Sequence, residues 1–254
     1  MAVPSTLAID LMQAVLEKGE NPGVADVRIG LGYTGVRLEG GRAGLAYTFR
    51  NEAGHGCSVF QRLRPLSGRS ASDLIPLLPS RDPIESAVGL ACANALANED
   101  RTELQEGDIL DRLDLRSDDR VGMVGYFGPV VDGLEDRVWD LTIFERADLP
   151  DPRIRPAEEA RKVLPECQVA LITATAIINH SIDSLLEAAS GCRETVILGG
   201  STPLLPDVFR ERHVTMLSGV VVRDPAGILQ VVSEGGGMRY FGPHIRKVSL
   251  RVQG

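Results

Sequence analysis

The segment Val121-Gly-Met-Val-Gly-Tyr-Phe-Gly-Pro129, together with Leu141-Thr-Ile-Phe-Glu145, decides the predicted fold. Each begins with a short apolar run that does not alternate with polar residues, which is typical of parallel strands covered on both faces. Three more runs of this kind follow, at 169–173, 195–198 and 214–222. Helical stretches accompany them, such as 182–189 and 226–232. Strands that alternate with helices predict an α/β fold with a doubly wound parallel sheet.

The N-terminal part follows a different pattern. Ser5 can cap a helix that Gly19 ends. Three short segments typical of strands come next, at 27–31, 33–39 and 45–49, and Gly40-Gly41 can turn the chain between the last two. These features predict a small antiparallel meander.

A second helix begins in the N-terminal part at Asp82-Pro83, since Asp is a good cap and Pro suits the first turn. Its apolar stripe includes Cys92, which we expect in the core. The polar stretch 98–107 marks the expected domain boundary. The prediction is an α+β domain over residues 1–106 and an α/β domain over 107–254.

The amino-acid composition limits the classes of binding partner. The 254 residues include 27 Lys and Arg against 35 Asp and Glu, a net charge of −8. A nucleic-acid binder needs a basic face, and Arg62-Leu-Arg64 is the nearest approach to one, so we expect no nucleic-acid partner. No apolar run approaches the roughly 18 residues of a membrane span. The N-terminus lacks the pattern of an export signal, which predicts a cytoplasmic protein whose partner is a small molecule or metal. A homo-oligomer remains open.

Metal ligands show no local pattern. The four cysteines are widely spaced, and His55-Gly-Cys57 is the closest approach to a soft-metal cluster. Any metal site needs ligands from distant segments, so its residues are unknown, and a transition metal stays open as the cofactor. A nucleophile-elbow serine and a phosphate-binding P-loop are both absent from the sequence.

Ligands of open parallel sheets bind outside the carboxyl ends of the strands, so the loops there are the candidate site. The first loop contains Gly125, Tyr126, Phe127 and Gly128, and Glu145 ends the next strand, where an acidic residue can accept hydrogen bonds from ribose hydroxyls. Two alternatives do not involve a ligand. The glycines can serve tight packing alone, and Glu145 can be an ordinary strand-end carboxylate that pairs with Arg146 or with solvent.

Three later loops supply the other candidates. They are Thr173, Thr175 and Asn179; then Gly200, Ser201, Thr202 and Pro203; and finally Ser233, Glu234, Gly235 and Gly236. In the second of these loops Pro203 can start a helix whose amides hold an anion. Tyr126, Glu145 and Glu234 are the candidates for acid–base catalysis, although the spacing does not establish an enzyme. The alternative for the loop with Ser201 is a capped helix start without a ligand. The alternative for the loop with Glu234 is a plain flexible turn.

The chain resembles a family of prokaryotic proteins known as heavy-metal chelation proteins. The segments that carry the resemblance are 44–48, 93–98, 121–129, 141–146, 198–206, 217–225 and 233–237. Within them Gly200 stands where many relatives have proline. The resemblance implies an enolase-N-terminal-like domain followed by a Rossmann-like domain, with a site in the cleft between them. It also implies metal handling, with a link to corrinoid biosynthesis.

Three functions follow from these observations. The first is binding of a metal or metal complex in the interdomain cleft. The second is an enzyme that uses a nucleotide-like or ribose-containing ligand, favoured by the Gly125 turn and Glu145. The third is a catalytically silent interaction module, which the many glycines at strand ends disfavour.

Overall fold

The computed structural model describes residues 5–52, 60, 63–146 and 150–252. His55, Cys57 and Arg62 therefore lie outside the described residues. The described strands are β1 (Val24–Ile29), β2 (Tyr33–Leu38), β3 (Ala43–Tyr47), β4 (Gln105–Glu106), β5 (Arg120–Val124), β6 (Asp140–Glu145), β7 (Ile154–Pro156), β8 (Val169–Thr173), β9 (Glu194–Leu198), β10 (Met216–Val222) and β11 (Ile245–Arg251). The α-helices are α1 (Thr6–Glu17), α2 (Ala71–Leu74), α3 (Pro83–Ala97), α4 (Gly128–Leu134), α5 (Ala160–Val163), α6 (Thr175–Ile178), α7 (Ile182–Ala188), α8 (Pro206–Phe209) and α9 (Pro225–Ser233).

The small sheet is the predicted antiparallel meander, in the order β1-β2-β3. Gly40 and Gly41 both adopt positive φ in the turn between β2 and β3, as expected. The prediction was wrong in detail for β1, because Ile29 and Leu31 are exposed and Val24 is the buried residue. This strand lies at the edge of the sheet, and a register irregularity between Val24 and Asp26 interrupts its alternation.

The large sheet has eight strands in the order β4-β11-β10-β9-β8-β5-β6-β7. Strands β5 to β10 run parallel, whereas β11 and β4 are antiparallel additions at one edge. In chain order, β6 and β7 are added on one side of β5. Strand β8 then pairs with the other side of β5, and β9 and β10 follow in that direction. Strand order therefore reverses between β5 and β8, which is the switch point of a doubly wound sheet. The predicted mixed α/β fold is confirmed.

Helix α3 joins the two sheets. Asp82 caps it through its carboxylate, which accepts from the amides of Ile84 and Glu85 at 2.8 and 3.3 Å. The helix is buried almost all round, because the small sheet covers one side and the elements of the large sheet cover another. One continuous apolar cluster contains side chains as far apart in the sequence as Leu7 and Leu250. The two predicted domains therefore share a core.

No helix within the described ranges is both long enough and apolar enough to cross a bilayer.

Candidate functional site

A large cleft lies where the carboxyl ends of β5, β6, β8 and β9 face the small sheet. Its volume is about 1120 Å³. It is therefore slightly larger than the roughly 300–1,000 Å³ of typical small-molecule sites. The sequence-predicted residues that line it are Gly125, Tyr126, Phe127, Glu145, Thr173, Thr175, Asn179, Gly200 and Ser201. Among the described residues, four of the five candidate loops therefore contribute residues to this cleft.

The loop after β5 is shaped by Gly125. This residue has φ +89°, and its amide donates to the Phe144 carbonyl at 2.8 Å. A Cβ atom at this position would lie 3.0 Å from the Cβ of Thr173, on the neighbouring strand β8. Both the left-handed conformation and the close approach favour glycine here. The turn brings Tyr126, which is 40% exposed, to the cleft wall.

Glu145 organises the same loop. One carboxylate oxygen accepts from the Tyr126 amide at 3.0 Å, and the other accepts from the Arg146 amide at 2.6 Å. The Arg146 guanidinium forms an ion pair with Glu52, which follows the small sheet. The carboxylate at the end of β6 therefore ties two neighbouring loops together at the cleft.

The residues after β8 form a local hydrogen-bonded turn. The Thr173 hydroxyl lies 3.1 Å from that of Thr175 and accepts from the Thr175 amide at 3.3 Å. The Asn179 side-chain oxygen accepts from both the amide and the hydroxyl of Ser181, at 3.1 and 2.7 Å. These bonds shape the cleft wall and leave its surface polar.

His180, which the sequence analysis missed, lies beside them in the cleft lining. Its Nδ1 accepts from the Ser5 amide at 3.4 Å, and its Nε2 donates to the Ser80 carbonyl at 2.7 Å. This pairing requires the neutral tautomer with the proton on Nε2. Because its partners are 175 and 100 residues away, no local signal could have identified it.

The Gly200–Pro203 loop mainly connects the large sheet to β3 and α3. The Ser201 hydroxyl accepts from the Tyr47 amide at 2.8 Å, while Thr202 is completely buried. Thr202 and Pro203 lie outside the cleft lining. The predicted helix start at Pro203 was wrong, because the helix begins at Pro206. Residues 202–205 have no regular secondary structure, and the backbone of Thr202 and Leu204 bonds to the side chain of Asn98, the C-cap of α3.

Two side-chain amides, from Asn94 of α3 and from its C-cap Asn98, hold this loop. Asn94 Nδ2 donates to the carbonyls of Leu45 and Ser201 at 2.8 and 3.0 Å. Asn98 Nδ2 donates to the carbonyl of Thr202 at 2.9 Å, and its oxygen accepts from the Leu204 amide at 2.8 Å. Two asparagines at i, i+4 in an otherwise apolar helix were the available sequence signal for this joint.

The Ser233–Gly237 loop does not join the cleft. Gly235 has φ +77° and contacts Leu31 in the turn between β1 and β2. The Glu234 carboxylate accepts from Gln230 of its own helix at 2.9 Å, and the Ser233 hydroxyl donates to the Leu229 carbonyl. The glycines therefore allow α9 to pack closely against the small sheet. A Cβ atom on Gly236 would lie 2.5 Å from the Val231 side chain of α9. Gly128 begins α4 outside the cleft lining.

An aromatic wall from the small sheet completes the cleft. Tyr33 and Tyr47 meet edge to face with centroids 5.8 Å apart, and Tyr47 and Phe49 do so at 5.0 Å. Burial, and to a lesser degree the neighbouring Tyr47, raises the pKa of Tyr33 well above its usual range, so its hydroxyl stays protonated. The sequence analysis treated these aromatics only as strand residues.

Charged side chains at the mouth were also missed. Arg81, Glu158 and Arg161 line the cleft and are exposed. Among the described residues Arg161 has no ion-pair or hydrogen-bond partner. It therefore adds a positive charge to the opening, where Glu158 adds a negative one.

The described side chains do not form a site of three or more ligands for a bare metal ion. Among the residues that the structure describes, no three His, Cys, Asp or Glu side chains come together in a way that could hold one. In the cleft, Glu145 bonds to backbone amides and Glu52 pairs with Arg146. The described cleft residues therefore do not fit a resident metal ion of the multidentate type.

Together, fold and cleft define an α/β protein with a candidate small-ligand site at the carboxyl edge of a doubly wound sheet. A family model described as "putative heavy-metal chelation" (DUF364) matches residues 108–251, and a second model with the same description (DUF4213) matches residues 12–97. The chain belongs to this family, as the sequence resemblance predicted.

The chain is similar to three proteins that are described as uncharacterised or of unknown function. An uncharacterised protein of Methanocaldococcus jannaschii is 27% identical over 253 residues, which covers 93% of each chain. A crystal structure of a DUF364 protein of unknown function from Pyrococcus horikoshii superposes with a TM-score of 0.83 at 24% identity, covering 97% of this chain and all of that one. One from Desulfitobacterium hafniense gives 0.82 at 23% identity, covering 96% and 98%. These structures support the fold alone.

Proposed function

We propose that the protein binds an anionic organic ligand of cofactor size in the cleft between the two sheets. The observation that carries the proposal is the cleft itself, of about 1120 Å³, which lies at the strand-order switch point and is lined from both sides. Ligands of open α/β sheets bind at this place.

The lining defines the ligand's chemistry. The rings of Tyr47, Phe49 and Tyr126 offer apolar faces that suit a flat unsaturated group. Arg161 and Arg81 stand at the mouth, where guanidinium groups bind carboxylate or phosphate well. The ligand therefore combines a planar body with peripheral anionic groups.

The family description suggests that a metal is involved. Since the described cleft residues do not fit a bare ion, we propose that the metal arrives inside an organic complex that already supplies its ligands. A corrinoid or a related carboxylated metal-binding macrocycle has this chemistry. The protein would then handle a metal complex in the cytoplasm and need not chelate an ion there.

Thermal shift and calorimetry test this function with three probe groups: first-row divalent metal ions, a carboxylated cobalt corrinoid, and ATP with NAD. We expect the corrinoid to stabilise the fold by roughly 3 kcal/mol at a hundredfold excess over Kd. Arg161→Ala should weaken its binding about tenfold. The matched control is Arg155→Ala, an exposed arginine on β7 outside the cleft lining. Equal binding in both variants, or no response to any probe, would contradict the proposal.

A nucleotide-using enzyme is the second candidate. One specific observation favours it: a glycine turn at Gly125 follows β5 at the switch point, and the acidic Glu145 ends the neighbouring strand β6. Sheets that bind ribose-containing cofactors have this arrangement. Glu145→Gln keeps an acceptor for the Tyr126 amide but removes the carboxylate that a ribose would use. We expect this variant to bind ATP or NAD at least tenfold more weakly than the wild type. Unchanged affinity, or no affinity in the wild type, would exclude this candidate.

A further inference from the structure

Two thiols lie together at the opposite end of the large sheet from the cleft. Cys167 stands two residues before β8 reaches Val169, and Cys192 stands two residues before Glu194 of β9. Val169 and Glu194 are paired in the parallel register, so the two cysteines occupy equivalent places on neighbouring chain segments. Cys92, the other described cysteine, lies elsewhere, in α3.

The thiols share one local environment at the end of α5. Cys167 Sγ donates to the Val163 carbonyl at 3.5 Å, and Cys192 Sγ donates to the carbonyl of the next residue, Leu164, at 3.6 Å. Burial and, to a lesser degree, the neighbouring Cys167 raise the pKa of Cys192 to about 12.

Packing beside Cys167 is tight on the side of β5, whereas Cys192 lies closer to solvent. Gly122 of β5 lies next to them, and a Cβ atom there would lie 3.1 Å from Cys167 Sγ and 2.7 Å from the Leu164 side chain. Cys167 is only 5% exposed, whereas Cys192 is partly exposed. An ion can therefore reach the pair from the Cys192 side.

We propose that Cys167 and Cys192 form a two-coordinate site for a soft divalent metal ion, with Hg(II) as the best fit. Thiolate sulfur selects soft metals, and Hg(II) accepts linear coordination by two thiolates. Each S–H bond loses its proton to solvent, two Hg–S bonds form, and no electrons are transferred. The site remains neutral, because two negative sulfurs balance the 2+ charge.

Neutrality distinguishes Hg(II) from other ions at this place. Cu(I) with two thiolates carries a net negative charge, which is costly in a buried site beside helix carbonyls. Zn(II) requires four ligands, and the described residues supply no third donor near the pair. The site is independent of the cleft and of the function proposed for it.

The test uses the full chain with Cys57→Ser and Cys92→Ser, which leaves the pair as the sole thiols. One equivalent of Hg(II) is added and challenged with excess glutathione. We expect native mass spectrometry to show one retained ion, with ultraviolet sulfur-to-mercury absorption and two sulfur neighbours by X-ray absorption. Adding Cys192→Ser to this background should lower retention at least tenfold. Circular dichroism of the apo protein verifies that each variant folds.

Several outcomes would overturn the proposal. One is loss of Hg(II) to glutathione from the two-serine variant. Another is equal retention after Cys192→Ser, which would place the ion on a single sulfur. Retention of Cu(I) or Zn(II) as strong as that of Hg(II) would contradict the charge and coordination argument. Cys167→Ser provides the second test of the pair, since it removes the more deeply buried sulfur.

Discussion

Asp119 illustrates what a single residue contributes to this fold. Its side chain is only 1% exposed, and one carboxylate oxygen accepts from Arg193 at 2.7 Å and from the Arg116 amide at 2.8 Å. Burial alone would raise its pKa, but the hydrogen bonds from Arg193 and Arg116 outweigh burial and hold the pKa below its usual value. The charged form is therefore the stabilising one.

The pH dependence of this contribution can be predicted. A lowered folded-state pKa means that Asp119 stabilises the fold above its unfolded pKa of about 3.9, and that the contribution is lost as pH falls through the folded value. We expect Asp119→Asn to lower the free energy of unfolding by about 2 kcal/mol at neutral pH and by much less near pH 3. Urea unfolding at both pH values measures this difference.

The neighbouring Asp118 provides the control, because it is exposed and the ion pair with Arg193 is made by Asp119. Asp118→Asn should change stability by less than about 0.5 kcal/mol at either pH. A pH-independent effect of Asp119→Asn would show that packing, not charge, explains the residue.

At the scale of elements, the contact between β3 and α3 depends on one small residue. A Cβ atom on Gly44 would lie 2.2 Å from the Ala91 carbonyl oxygen and 2.3 Å from the Ala95 amide nitrogen. Backbone atoms cannot yield as a flexible side chain can. The strand and helix approach this closely only because the residue has no side chain.

Gly44→Ala should therefore force the two elements apart and lower the free energy of unfolding by about 3 kcal/mol. Gly191→Ala is the matched control, because a Cβ atom there meets nothing within 4 Å. That variant should stay within about 0.5 kcal/mol of the wild type. Denaturant midpoints measure both changes, and similar midpoints for the two variants would refute the argument.

The elements differ in how well the sequence predicts them. Strands β5, β6, β8, β9 and β10 were predicted from their continuous apolar runs, because both faces of a parallel strand are covered. The short edge strands β4 and β7 were missed. Gln105–Glu106 and Ile154–Pro156 carry polar residues or proline, and their conformation depends on the neighbouring strand with which each pairs.

At the scale of the whole molecule, side chains of the N-terminal helices and of the large sheet support each other. Asp183 of α7 accepts from the Thr6 and Leu7 amides, at 2.6 and 3.2 Å, and so satisfies the first turn of α1. Asn98 donates to the carbonyls of Thr202 and Val220 from α3. These contacts join the N-terminal part of the chain to the elements of the large sheet.

Asn98→Ala should lower the free energy of unfolding by about 3 kcal/mol, because two carbonyls and the Leu204 amide lose a buried partner. Asn51→Ala is the control, since Asn51 is exposed. It should change stability by less than about 0.5 kcal/mol. Chemical unfolding measures both variants. An Asn98 effect as small as that of Asn51 would mean that water replaces the lost bonds.

The candidate site could be predicted from the sequence only in part. Gly125, Glu145 and Thr173 follow strands that the sequence reveals, and parallel strands bring their carboxyl ends to one edge. His180, Arg161 and the aromatic wall of the small sheet could not be predicted as site residues. Their position depends on how the small sheet lies against the large one.

The sequence by itself determined the two types of sheet, the loops at the carboxyl edge and the family. Those features follow from local periodicity and from short segments, which residues close in the chain encode. Only the tertiary structure decided that Thr202 and Glu234 lie away from the cleft and that Cys167 and Cys192 are neighbours. Such contacts join residues far apart in the chain, and packing between elements selects them, so no local pattern contains them.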